Sequence, residues 1–381
     1  MSKKLIGMLV SLIVITGMLA GCVQSTPAAG PTEAPVATGA PTTESTAIST
    51  PTPVVITDAL GRTIEFVELP QRVVIAGKAG FMLSNAVFLF PEASEKIVAY
   101  VKGSQTPNDF ISMVFPLSTG VSTLDTSAAV EQIAPLNPDV VLMKSYLQKS
   151  LGDSVEQLGI KVVYLDLESS EAIVKDILIL GAILDNPEKA ESVVSMIVES
   201  EKRITDVTST LTDEKKPTVL MLQYSDKGGE VAFKVPPTDW LQTNLVVLAG
   251  GTPVWKDVPT DGWTTITLEQ IAAWNPQVVF LIDYKGNAVD VVANLKTDPK
   301  WALLDAVKNN QIFAFPLDFQ SWDQPDTRWP LGLTWVALKL HPDLFASIDF
   351  NEEIVNFYKN FYGLDDSIIN GTILPLVKGD L

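Results

Sequence analysis

Val130-Glu131-Gln132-Ile133-Ala134-Pro135-Leu136-Asn137-Pro138-Asp139-Val140-Val141 and Leu268-Glu269-Gln270-Ile271-Ala272-Ala273-Trp274-Asn275-Pro276-Gln277-Val278-Val279 are two copies of one motif in a chain of 381 residues. The shared Glu-Gln-Ile-Ala, Asn-Pro and Val-Val are too many to be coincidence. Each copy reads as a short helix, a stop and a buried strand, because proline disfavours the helical conformation in the residue before it. The strands are continuous apolar runs, Val140 to Met143 and Val278 to Ile282. Similar runs stand at Arg72 to Ala76, Val162 to Leu165 and Val219 to Leu222. Continuous rather than alternating runs, separated by helical segments, indicate parallel sheet covered on both faces.

The expected fold class is therefore α/β, with two Rossmann-like lobes joined by a single long helix and a ligand cleft between them. The joining segment is Asn186-Pro187 followed by Glu188 to about Leu211, where Ala190, Val193, Val194, Ile197, Ile204 and Val207 keep a helical period. At roughly 24 residues it would reach about 36 Å, enough to cross from lobe to lobe and to limit their relative motion. The expected divisions are a signal peptide (1–21), a tether (22–53), a first lobe (54–185), a connecting helix (186–215) and a second lobe (216–381).

The N-terminus sets the compartment. Lys3 and Lys4 precede an apolar run from Leu5 to Leu19, of signal-peptide proportions and too short for a spanning helix. It ends in Leu19-Ala20-Gly21-Cys22, small residues ahead of the chain's one cysteine. That pattern predicts cleavage before Cys22 and lipidation of its thiol, which leaves no disulfide available. Residues 25 to about 53 are almost wholly Thr, Ser, Pro, Ala and Gly, a composition that cannot offset its ordering entropy and acts as a tether. The mature protein is then extracytoplasmic and lipid-anchored to the outer face of the cell membrane. Its formal charge of −18 becomes −20 when Lys3 and Lys4 leave with the signal, which argues against nucleic acid as a partner.

Asp58-Ala59-Leu60-Gly61-Arg62-Thr63-Ile64 and Leu69-Pro70-Gln71-Arg72-Val73-Val74 resemble the opening of the class III periplasmic binding proteins, which serve ferric-siderophore, haem and cobalamin importers. The repeated units, the single connecting helix and the lipidation motif fit the same family. The resemblance implies a monomer that captures a chelated metal or corrinoid in a shallow cleft and delivers it to an ABC permease dimer and its ATPase. It also implies one glutamate on each lobe that docks on permease arginines. These map onto Glu131 and Glu269, which precede the Asn-Pro-strand in each copy. The competing explanation is helix-start chemistry, since Thr267 and Gln270 have capping-box spacing and an early Glu complements the helix dipole.

Open α/β sheets place ligands beyond the carboxyl ends of their strands. Those ends offer Lys78, Phe81, Lys144, Ser145 and Tyr146 in the first lobe. The second offers Gln223, Tyr224, Trp263, Asp283, Tyr284, and Trp322, Asp323 and Arg328 within Phe319 to Trp329. Aromatic residues and a few cations suit a large, partly anionic ligand such as a metal chelate or tetrapyrrole. Some of these are equally explained as core or solvated side chains, Trp329 and Trp335 above all, which open an apolar helix. Importers of bare zinc or manganese hold the ion with several histidines and carboxylates. The single His341 stands in a helix-ending Leu-His-Pro and reads as a helix terminus rather than a ligand. No cofactor beyond the N-terminal lipid is called for.

An extracytoplasmic hydrolase on the same scaffold is the alternative, although one histidine and no Gly-x-Ser-x-Gly leave little for nucleophilic catalysis. A surface adhesin would explain the tether but not the duplication. Replacing the cysteine tests the anchor: Cys22→Ser is expected to leave the membrane fraction with unchanged fold, and mass spectrometry of the wild-type N-terminus showing no lipid would refute it.

Overall fold

The structure, a computed structural model, describes residues 53–103 and 105–381. The signal peptide, Cys22 and nearly all of the tether lie outside the described residues. The described chain opens with a hairpin, β1 (Val54–Thr57) antiparallel to β2 (Thr63–Phe66). The Asp58-Ala-Leu-Gly-Arg62 motif is the staple of its turn. The buried Asp58 carboxylate accepts from the amides of Leu60 and Arg62, both at 3.0 Å, and from the Arg62 guanidinium at 2.8 Å. Arg62 also reaches Glu156 and stacks 4.4 Å from the Tyr164 ring, which fixes the hairpin to the first lobe.

The first lobe is built on β3 (Val73–Ile75), β4 (Ile97–Val101), β5 (Ser122–Leu124), β6 (Val140–Lys144) and β7 (Lys161–Leu165). They lie in the order β5-β4-β3-β6-β7, all parallel. The second lobe contains β8 (Thr218–Ser225), β9 (Ala232–Val235), β10 (Thr252–Pro253), β11 (Thr264–Ile266), β12 (Val278–Ile282) and β13 (Ile312–Ala314). Here β10, β8, β12 and β13 pair in parallel, while β9 and β11 add an antiparallel edge. This corrects the expectation of two purely parallel sheets. The chain turns from β8 into β9 in residues 226–231, too few for a parallel crossover, so β9 must return antiparallel.

The duplicated motif does the same local work twice. Asn137 and Asn275 end their helices in the left-handed region, at φ 46° and 41°. Asparagine tolerates that conformation better than most residues, and the following proline prevents the helix from resuming. The next residue sets the strand register. Asp139 donates its amide to the Arg72 carbonyl at 2.8 Å, and its carboxylate accepts the Gln71 and Arg72 amides, both at 2.8 Å. Gln277 donates to the Thr218 carbonyl at 3.0 Å, and its side-chain oxygen accepts the Thr218 amide at 2.8 Å. In this way β6 is aligned on β3 and β12 on β8.

The connecting helix runs from Pro187 to Thr208 with Asn186 as its cap, the Asn186 side chain accepting from the Lys189 amide at 3.0 Å. Its buried face is Ala190, Val193, Ile197 and Ile204. It is not the only bond between the lobes. A single apolar cluster extends through both, from Ile56 to Ile373, and a smaller one lies under the first sheet around Val74, Val141 and Met143. Asn137→Val, which forces a β-branched residue into the left-handed region, is expected to lower stability by about 1–2 kcal/mol in urea titration. Asn137→Gly is expected to leave it nearly unchanged; equal stability of all three proteins would contradict this account.

Candidate functional site: the cleft between the lobes

In each sheet one strand has parallel neighbours on both sides: β3, flanked by β4 and β6, and β8, flanked by β10 and β12. A crevice opens at the carboxyl end of such a strand because the flanking connections leave to opposite faces. Lys78 follows β3 and Tyr224 lies near the end of β8, so these two sequence candidates stand nearest those points. Lys78 is exposed. The Tyr146 hydroxyl, half exposed beside it, donates to the Lys78 carbonyl at 3.1 Å.

Lys144 ends β6 but does not face solvent. It is 1 % exposed, pairs with Glu168 at 2.6 Å and donates to the Asp166 carbonyl. Its work is to hold the loop after β7, together with Asp176, whose carboxylate accepts the amides of Asp166 and Leu167 at 2.7 and 2.8 Å. Burial pushes the Asp176 carboxyl up to about 6, against the pull of those two amides. Phe81 is likewise a correction: it is buried in the helix Gly80–Val87 and belongs to the core.

On the second lobe three aromatic side chains form a row. Trp240 meets Trp263 and Trp263 meets Tyr284, each pair edge to face at 6.1 Å between centroids. All three are half buried, as is Tyr224, which packs on Phe233 at 6.0 Å. The Tyr284 hydroxyl donates to Asp323 at 2.8 Å, and Gln242 donates to the same carboxylate at 3.3 Å. Burial, and then Asp323, hold the Tyr284 hydroxyl well above its ordinary pKa, and burial raises Asp323 as well. The pair works as hydrogen-bonded neighbours that orient the row. Asp283 is turned inward to cap the amides of Lys285 and Asn287 at 3.0 Å each.

The largest departure from the sequence reading is the segment 316–330, which is buried throughout. Arg328 and Trp322 are both 0 % exposed and are therefore interior residues, not cleft walls. Arg328 pairs with Asp318 at 2.9 Å and Asp326 at 3.0 Å, donates to the Tyr358 hydroxyl at 3.1 Å and lies 4.4 Å from the Phe110 ring. Burial, the largest single influence, would lower its pKa, but Asp318, Tyr358, Asp326 and Tyr362 together outweigh it and the guanidinium stays charged well beyond its usual range. Trp322 donates to Asp318 at 3.2 Å.

This cluster joins the lobes. From the first lobe, Asn85 donates to Asp326, Thr106 donates to the Phe319 carbonyl at 3.3 Å, and the Gln105 side chain accepts the Ser321 amide at 2.9 Å. Tyr362, on the helix Phe350–Tyr362, donates to the Asn85 carbonyl at 3.2 Å and meets Phe110 edge to face at 5.0 Å between centroids. Beside it a small interlobe cavity of about 100 Å³ is lined by Thr106, Asn108, Lys285, Gly286, Leu317 and Lys378. Trp240 and Lys285 were missed from sequence because each sits in a loop without a repeat equivalent. Tyr358 was missed because it lies on an ordinary amphipathic helix.

Glu131 and Glu269 are exposed in the first turns of Val130–Ile133 and Leu268–Trp274. Helix-start chemistry is real in the second copy, where Thr267 and Gln270 form a reciprocal capping box at 3.2 and 2.9 Å. In the first, Ala129 has no side-chain oxygen and only the Gln132 side chain reaches back, at 3.1 Å. In neither copy does the glutamate itself carry the cap. His341 caps the helix Trp329–Leu340, with its ring 3.2 Å from the Gly250 carbonyl.

Residues 117–318, more than half of the chain, match the family described as "Periplasmic binding protein". The chain is 22 % identical over 332 residues to the molybdate-binding protein MolA of Haemophilus influenzae, covering 81 % of this chain and 90 % of that one. The structure of MolA bound to molybdate superposes with a TM-score of 0.66 at 20 % identity, over 82 % of this chain and 98 % of MolA. A periplasmic solute-binding protein of Veillonella parvula gives a TM-score of 0.66 at 25 % identity, over 84 % of this chain and 97 % of its own. A Bacillus subtilis Fe(3+)-citrate-binding protein, YfmC, is 23 % identical over 186 residues, covering 48 % of this chain and 55 % of that protein.

Arg328→Met removes the one cation between two buried carboxylates and is expected to cost about 3–5 kcal/mol, read as a lowered midpoint in thermal or urea unfolding. A variant as stable as wild type would show that the cluster does not hold the lobes together.

Proposed function

This chain belongs to the periplasmic binding protein family, as the substrate-binding protein of an ABC transporter and not an enzyme, and from that premise we propose that its ligand is an anionic metal chelate. The observation that carries this reading is the pairing of an exposed cation with aromatic faces at the two points where an open sheet binds ligand. Lys78 stands beyond β3, and Tyr224 stands near the end of β8 with the Trp240, Trp263 and Tyr284 row in the same lobe. Lysine offers charge to carboxylates or hydroxamates, and aromatic faces cover the apolar parts of a chelate. Ferric siderophores, ferric citrate, haem and corrinoids all combine those features.

A bare oxyanion is the second reading. The cavity of about 100 Å³ has two lysines and the Arg328-paired Asp318 among its lining residues and is too small for a tetrapyrrole, and the similar MolA protein binds molybdate. On either reading Cys22 carries the lipid that keeps the protein at the membrane, and Glu131 and Glu269 meet arginines of the permease dimer. The exposed position of both glutamates at equivalent places in the two lobes supports that role.

Titration of the purified protein with ferric citrate, haemin, cobalamin and molybdate, followed by tryptophan fluorescence, separates the two readings. Saturation by molybdate alone would overturn the chelate. Glu131→Lys and Glu269→Lys are expected to keep ligand affinity within about two-fold while uptake in cells falls by about ten-fold or more, because lysine repels the arginines the carboxylate attracted. Normal uptake by both would overturn the docking role.

A further inference from the structure

Three consecutive residues of the second lobe, Phe319, Gln320 and Ser321, are each met by the first. The Phe319 carbonyl accepts from the Thr106 hydroxyl at 3.3 Å, and its ring lies 5.2 Å from that of Phe110. Gln320 packs on Gly103, where an added Cβ would stand 1.8 Å from the Gln320 Nε2 atom, so the approach requires glycine. The Ser321 amide donates to the Gln105 side-chain oxygen at 2.9 Å. The same serine also faces the aromatic row. Its hydroxyl donates to Asp323 Oδ1, while Oδ2 of that buried carboxylate accepts from the Tyr284 hydroxyl at 2.8 Å and from Gln242 at 3.3 Å. A chain of contacts therefore runs from Gln105 of the first lobe through Ser321 and Asp323 to Tyr284, whose ring meets Trp263.

Resting on the reading that this row contacts ligand, we infer that Gln105 is a positioning residue: from the first lobe it sets the orientation in which Tyr284 of the second meets ligand. Ser321 is 1 % exposed and closed off from solvent. Without the Gln105 oxygen its amide would be buried with no acceptor, which costs more than the bond itself contributes, so the backbone turns to recover a partner. That turn carries the Ser321 hydroxyl away from Asp323, and the carboxylate, having lost a donor, aims the Tyr284 hydroxyl differently. A side chain in a ligand wall holds its geometry only where the hydrogen bonds behind it are complete. The Arg328 cluster keeps the lobes joined regardless, so loss of this one contact alters the wall and not the fold. By reciprocity, ligand on the row and the contact between the lobes each bias the other.

The test observes Tyr284 directly. 3-Fluorotyrosine is placed at position 284 of the otherwise unchanged chain and its fluorine resonance is followed by NMR, with circular dichroism as the check on folding. Gln105→Leu, which removes the acceptor at similar size, is expected to move the resonance toward its position in Asp323→Asn. Gln105→Glu, which keeps an acceptor oxygen, is expected to restore it. Affinity for ferric citrate, haemin or cobalamin, whichever saturates the wild type, is titrated by tryptophan fluorescence. It is expected to fall about five-fold in Gln105→Leu, the scale of one lost hydrogen bond, and to return in Gln105→Glu. A resonance unmoved by Gln105→Leu overturns the inference even if stability falls, since a merely structural contact would give that result. An equal displacement in Thr106→Val, which removes the neighbouring bond to Phe319, overturns it too. Trp263→Ala keeps the two questions apart. If no chelate saturates the wild type, or Trp263→Ala binds as the wild type does, the reading of the row as a ligand wall fails, while the resonance still decides whether Gln105 sets Tyr284.

Discussion

A cation with no access to water holds this molecule together. Arg328 lies between Asp318 and Asp326, against the Tyr358 hydroxyl and over the face of Phe110. Taking one charge out of water is costly, so a buried guanidinium persists only where opposite charge, hydrogen bonds and a π face offset that cost. They do so here around Nε and Nη1, while Nη2 has no hydrogen-bond partner among the described residues. The partners come from both lobes. Phe110 and Asn85 belong to the first, and the carboxylates and Tyr358 come from the last third of the chain. The requirement to keep Arg328 covered is thus a requirement to keep the lobes together.

That constraint explains the limited freedom expected of the cleft more fully than the connecting helix does. A helix of 22 residues fixes the distance between two lobes but can bend or pivot at its ends. A buried polar cluster cannot open without exposing its members one by one and leaving unpaired groups on each side. The apolar cluster that runs through both lobes acts in the same direction. Ligand capture in such a molecule relies on a surface already shaped, with Asp176 and Lys144 bracing one wall and Asp323 holding Tyr284 on the other.

Duplication supplied two lobes with one construction rule and let them diverge in detail. Asn137 and Asn275 end their helices in the same way, and Asp139 and Gln277 use different side chains to make the same register bonds. Beyond these points the lobes part. One keeps a purely parallel sheet, the other acquires an antiparallel edge that supplies Phe233 and brings Trp263 beside Tyr284. The surroundings of Glu131 and Glu269 differ for the same reason: the motif sets the helix start, and the loops around it are free to vary.

The two-lobed α/β plan was legible in the chain because it rests on local rules. Asn-Pro ends a helix, and a continuous apolar run demands burial on both faces, so the repeat implied paired lobes, and the helical period of Ala190 to Val207 implied the helix between them. Strand ends were readable too, and Lys78, Tyr146, Tyr224 and Tyr284 stand at or just past them. The placement of Arg328 and Trp322 was not readable, because whether a side chain at a strand end meets ligand or interior depends on what packs over it. What packs over them is Phe110 of the first lobe and Tyr358 of a late helix, over two hundred and about thirty residues from Arg328. Sequence determined the elements and their order through short-range stereochemistry; burial of charge, settled by contacts distant in the chain, was decided by the tertiary structure alone.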